Sequence, residues 1–83
     1  MIKNYYIYKN DKLGQFTEPF YLPYPEEDIK EILISSVRSG NHPEHPEELS
    51  FFKFMSVDSK TGDVVPCLEF IMSLAEILER KNG

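Results

Sequence analysis

The stretch FFKFMSVDSKTGDVVPCLEFIM, residues 51–72, decides the fold. Phe51 to Val57 is rich in aromatic and β-branched residues and reads as a strand. Asp58 is followed by Ser59-Lys60-Thr61-Gly62, a turn with its glycine at a left-handed position. Val64 to about Met72 reads as the returning strand, so the two make a hairpin. Pro66 interrupts the second strand and belongs at an edge or a bulge, because it has no N–H to give to a ladder.

Outward from the hairpin, Ser73 caps a last short helix. Glu76 three residues later completes a capping box, and Leu74, Ile77 and Leu78 would dock the helix. Lys81-Asn82-Gly83 is expected to fray. Before the hairpin, His42-Pro43-Glu44-His45-Pro46-Glu47-Glu48 reads as a loop. Pro46 can start a single helical turn there, with Glu47 and Glu48 favourable at its N-terminus and Leu49 dropping inward.

Further upstream, Pro25 opens the first turn of a helix spanning about 24/25–39. Glu26, Glu27 and Asp28 sit at its positive end. Ile29, Ile32, Leu33 and Val37 recur at three and four and form the buried stripe. Glu26 and Lys30 can pair on its surface. Gly40 ends it in the left-handed conformation.

At the amino-terminal end, IKNYYIYK (residues 2–9) reads as a strand with two faces. One carries Lys3, Tyr5, Ile7 and Lys9, and the other Ile2, Asn4, Tyr6 and Tyr8. Asn10, Asp11 and Gly14 make a turn. The proline-rich QFTEPFYLPYP (residues 15–25) allows only short or edge strands, pinned to the core by Phe16, Phe20 and Leu22. The expected fold class is α+β, a single domain over 1–83. It is a small antiparallel sheet (N-terminal strand plus C-terminal hairpin) with one long helix packed on it and a short C-terminal helix.

The 83-residue chain is 41% hydrophobic and 28% charged, in the range of a soluble globular domain. Its net charge of −5 argues against nonspecific nucleic-acid binding by the molecule as a whole. The charge is uneven, however. Lys3, Lys9 and Lys12 face only Asp11 in the first seventeen residues, whereas residues 18–49 hold eight acids against Lys30 and Arg38. Cys67 is the single cysteine. It excludes an intrachain disulfide and a cysteine zinc cluster, and reads as a small buried apolar residue. No apolar run approaches a membrane span, and the amino terminus shows no signal-like apolar core, so a cytoplasmic protein is expected.

His42 and His45 are the only nitrogen ligands for a metal, and each precedes a proline that pushes it toward extended backbone. Too few ligands converge, so neither a metal nor another cofactor is expected. His42, His45 and Cys67 also lack a nucleophile–base–orienter arrangement, and no enzymatic activity is expected.

HPEELSFFKFMSVDSKTGDVVPC, residues 45–67, resembles the segment HPED-x-x-L-x-x-[IL]-G-x-[FY]-D-x-x-T-G of the small nonstructural proteins of gokushoviruses, the single-stranded-DNA microviruses of bacteria. YYIYKNDKLGQFTEPFYLPYPEEDIKEIL, residues 5–33, is similar to the family's opening strand, Asp-x-Lys turn, Pro-Phe segment and helix. The resemblance runs along nearly the whole chain. It departs where Met55-Ser56 stand in place of a usual glycine and Ser59 in place of a common acid. It implies a nonstructural protein of the infected bacterial cytoplasm, outside the mature virion, that assists single-stranded DNA replication or packaging and carries no enzymatic motif.

Two functions remain open. One is binding of single-stranded DNA by Lys3, Tyr5 and Lys9, with Lys12 in the adjacent turn and Lys53 on a neighbouring strand, bases stacking on rings while lysines follow phosphate. That face serves only if Tyr5 and Ile7 do not pack under the helix. The other is an acidic module, using Glu26, Glu27, Asp28, Glu31, Glu44, Glu47 and Glu48 to engage a phage or host protein. A homodimer completing the small sheet is also expected.

Overall fold

The structure, a computed structural model, describes residues 1–79. The expected fraying of Lys81-Asn82-Gly83 lies outside the described residues. Strand β1 (Ile2–Asn10) leads through a turn to β2 (Gln15–Phe16) and β3 (Phe20–Tyr21). A 3-10 turn (Glu26–Asp28) opens α1 (Ile29–Arg38), and a second 3-10 turn (Pro46–Glu48) enters β4 (Leu49–Asp58). Strand β5 (Val64–Ser73) and α2 (Leu74–Glu79) follow. The five strands form one antiparallel sheet in the order β2-β1-β4-β5, with β3 pairing β1 on the same side as β2. The α+β architecture is as the residue pattern predicts.

The local chemistry explains each turn. In the β4–β5 connection, Asp58 Oδ1 accepts the Lys60 N–H at 2.8 Å and the Gly62 N–H reaches the Asp58 carbonyl at 2.8 Å. The Lys60 amide, and after it the Thr61 amide, hold the Asp58 carboxyl below its ordinary range. Helix α1 closes with the Gly40 N–H on the Val37 carbonyl at 3.1 Å and the Asn41 N–H on the Ser36 carbonyl at 2.8 Å. This paired closure needs the left-handed φ of 88° that Gly40 supplies. The Ser73 hydroxyl accepts the Glu76 N–H at 3.2 Å, the expected cap of α2.

Four sequence expectations change. Pro25 has ψ 143°, so it stands just outside the helix instead of in its first turn. His45 is left-handed (φ 56°) and not extended, because its carbonyl must turn to accept the Glu48 N–H at 3.0 Å. Ile34 packs on the core and Ile32 does not: Ile34 borders the groove shared with Met72 and Ile77, Ile32 the one beside Tyr24. Cys67 is only partly buried, since β5 is the outer strand of the sheet.

Cross-strand register sorts side chains into two faces. One set of rows runs Phe20–Tyr6–Lys53–Glu69 and Tyr8–Phe51–Met72, with Asn10–Leu49 beyond. Tyr6, Leu49, Phe51 and Met72 on this face join Ile29, Leu33 and Val37 of α1 and Leu74 and Ile77 of α2 in the buried core. Tyr8, Phe20, Leu22, Ile34 and Leu78 pack around it. Both helices therefore sit on one side of the sheet. Burying each such side chain contributes roughly 1.5–3 kcal/mol.

Tyr6 is fully buried, and its hydroxyl is the one buried side-chain polar atom among the described residues without a hydrogen bond. Burial, then the Glu26 carboxylate, pushes its phenol up, against smaller opposing effects of Lys53 and of the Asn4 side chain, which lies near the hydroxyl without closing a hydrogen bond. An unpartnered buried hydroxyl costs stability, while the ring beneath it contributes packing. Tyr6→Phe keeps the ring and removes that cost. Its urea-unfolding free energy should be unchanged or higher by up to about 1 kcal/mol. A loss larger than that would show the hydroxyl to be bonded.

Candidate nucleic-acid interface

The opposite face has no helix on it. Its rows run Lys3–Val57–Val64, Tyr21–Tyr5–Met55–Pro66, Ile7–Phe52–Phe70 and Phe16–Lys9–Ser50–Ser73. Tyr5 and Ile7 thus lie away from α1. Ile7 is only 4% exposed, yet it is outside the core cluster. No strand position in these rows is acidic.

The rings on this face form two groups. Tyr5 and Tyr21 lie 5.5 Å apart at 43°. Phe52 makes edge contacts with Phe16 on one side (5.7 Å, 67°) and Phe70 on the other (5.6 Å, 74°). Three of the rings reach solvent, Tyr21 at 39%, Phe16 at 45% and Phe70 at 57% exposure. Lys3 Nζ stands over the Tyr21 ring at 5.4 Å, and Lys9 Nζ over the Phe16 ring at 5.6 Å. Such cation–ring contacts are worth about 0.5–1 kcal/mol at exposed sites, and a base stacked on a ring about 1–3 kcal/mol. A base can therefore displace either ammonium from its ring and leave it free for a phosphate.

Of the five residues the sequence singled out, the structure brings Lys3, Tyr5 and Lys9 to this face. Lys12 is at its margin, in the β1–β2 turn, with Nζ 3.5 Å from Glu48 Oε1. The Glu48 carboxylate also takes the Asn10 amide at 3.3 Å, and Asp11 binds the Ser50 hydroxyl. Lys53 is the exception. It registers with Tyr6, on the helix side, where its side chain is 14% exposed and its Nζ meets Glu26 Oε1 at 2.9 Å. The alternation that sends Leu49 and Phe51 inward sends Lys53 the same way. The expected Glu26–Lys30 pair is replaced by this one.

Phe16, Tyr21, Phe52 and Phe70 belong to this face, and sequence reading did not place them there. Phe16 was expected in the core, but β2 pairs it with Lys9, which turns it to the open side. Among the described residues, no cluster of three or more His, Cys, Asp or Glu could hold a metal ion, and no helix is long and apolar enough to cross a membrane. No family model, no curated protein and no solved structure matches this chain.

The Lys53–Glu26 pair has a pH signature. The hydrogen bond to Glu26 raises Lys53 above its ordinary 10.5, against the opposing effect of burial. A raised lysine contributes stability that is fully present below the unfolded value and is lost as pH rises through the folded one. Glu26→Gln should therefore cost on the order of 1 kcal/mol at pH 7. The gap from the natural protein should close as pH climbs past Lys53's raised value. Coincident stability curves for the two proteins would show that the pair contributes nothing, and a gap that stays constant up to pH 12 would show that its contribution does not come from the Lys53 charge.

Proposed function

We propose that the protein is a nonstructural phage accessory factor of single-stranded DNA replication and packaging, acting in the cytoplasm of the infected bacterium. In this reading it binds single-stranded DNA on the open face of its sheet. The observation that carries the reading is the joint position of Lys3 and Lys9 with the exposed rings of Tyr21, Phe16 and Phe70 on the side that neither helix covers. The resemblance of residues 5–33 and 45–67 to the gokushovirus nonstructural proteins points the same way.

The chemistry suits a single strand. Paired bases are stacked on each other and offer no free face, whereas unpaired bases can lie on rings while phosphates meet ammonium groups. Binding by the acidic residues to a basic protein is the competing reading. Two of its carboxylates, Glu26 and Glu48, are already engaged by Lys53 and Lys12.

Two lysine–phosphate contacts give a logarithmic salt dependence of about −1.4, from about −0.7 per contact on single strands. Affinity for oligo-dT should therefore fall about sevenfold between 50 and 200 mM salt. The Lys3→Ala/Lys9→Ala double variant should lose at least about tenfold in affinity and most of that slope. Lys60→Ala, in the β4–β5 turn, should change neither. Fluorescence anisotropy with labelled oligo-dT makes the measurement. No binding by the natural protein at about 20 mM salt sinks the reading and leaves the acidic module in its place.

A further inference from the structure

The open face is divided. The Tyr5–Tyr21 pair carries Lys3, and the Phe16–Phe52–Phe70 ridge carries Lys9. Among the described residues no ring contact joins the pair to the ridge. The side chain between them on β1 is Ile7, which is buried and presents neither a ring face nor a charge. Tyr21 registers with Tyr5 and Phe16 with Lys9, so the two exposed rings are four β1 positions apart, about 13 Å at the usual strand rise. Lys3 and Lys9 are six positions apart, about 20 Å.

We infer that the face is a two-platform clamp for an extended single strand: one base rests at Tyr21, another at Phe16, and the bases between them are spanned without being held. The inference rests on the single-strand reading above and adds a length requirement and a spacing to it. At a stacked rise of 3.4 Å per nucleotide, 13 Å corresponds to about four steps, and fewer when the strand is stretched. An oligomer too short to reach both rings engages one platform and one lysine. An oligomer that reaches both binds its second platform intramolecularly, at a high effective concentration, so affinity rises in a step and not in proportion to length. Phosphate tracking along a uniform basic groove predicts the smooth alternative.

The test uses the full chain and oligo-dT of two to ten nucleotides at fixed low salt. It adds a ten-nucleotide strand in which residues four to six are abasic, leaving bases three and seven four steps apart. Affinity should rise at least about tenfold between three and six nucleotides and then level off. The abasic-centre strand should bind within about threefold of dT10, because the spanned bases contribute no stacking. Phe16→Ala, an exposed position outside the core, should abolish the step and hold every length to the affinity of a single platform; circular dichroism checks its fold. A smooth rise with length, or a loss of tenfold or more on removing the central bases, overturns the clamp and leaves single-strand binding standing. Absence of binding at every length overturns both.

Discussion

Tyr6 lies flat on Phe51, ring centroids 5.3 Å apart and planes within 10° of parallel, and this contact sets which side of the sheet receives the helices. Tyr8 and Phe20 close around Phe51 at 5.4 and 6.1 Å, making an aromatic floor under Ile29, Leu33 and Val37. Because strand side chains alternate, fixing Tyr6 and Tyr8 inward fixes Lys3, Tyr5, Ile7 and Lys9 outward. The open face is the obligatory complement of the core. A chain this short has one long helix to spend, and α1 and α2 both go to the same side.

Alternation alone would not assemble that face. A one-residue slip flips every later side chain of a strand. The β1–β4 register shifts between Tyr5 and Tyr6, leaving Phe54 as the extra residue between Lys53 and Met55. Beyond it Met55 and Val57 turn to the open side, in line with Tyr5 and Lys3. Strand β5 has irregularities of its own, one beside Met72 and one around Leu68, whose φ of 31° marks the strain. Pro66, opposite Met55, stands next to that irregularity on the outer strand, the edge-and-bulge position where a missing N–H is tolerated. These bulges keep the open-side rows in line from β2 to β5.

What the sequence disclosed and what it hid follow from this. The hairpin, α1 and the last capped helix were legible because each carries a local signal: Asp58 to Gly62, the Ile29–Leu33–Val37 stripe, Ser73 with Glu76. The two faces of β1 were legible as a pair, but not which one the helix covers, since both hold aromatic and aliphatic groups. Phe70 was hidden because its side depends on the bulge beside Met72, which has no sequence signature; Phe52, next to Phe51 in an alternating strand, was legible and passed over. Phe16 and Tyr21 depended on strand pairs of two residues each, too short for any periodicity. Lys53 was misjudged by treating it as one more strand lysine; its spacing of two from Phe51 already aimed it at the helix.

The net charge of −5 and a local excess of lysine on the open face are compatible for a physical reason. Glu26, Glu27, Asp28 and Glu31 belong to α1 and the turn that opens it, on the far side of the sheet from Lys3 and Lys9. A packed layer sets them about 10 Å behind the open face. The Debye length at physiological ionic strength is about 8 Å, so their field at that face is largely screened. At low salt the acids should weaken approach to the face, and at high salt the two lysines should lose their own hold. Attraction of a polyanion to such a molecule is therefore set by the local lysines and rings and not by the sum of its charges. The charge is polarised all the same: Glu26, Glu27, Asp28 and Glu31 lie on the helix side, with Lys30 and Arg38 among them, while Lys3 and Lys9 lie on the open side.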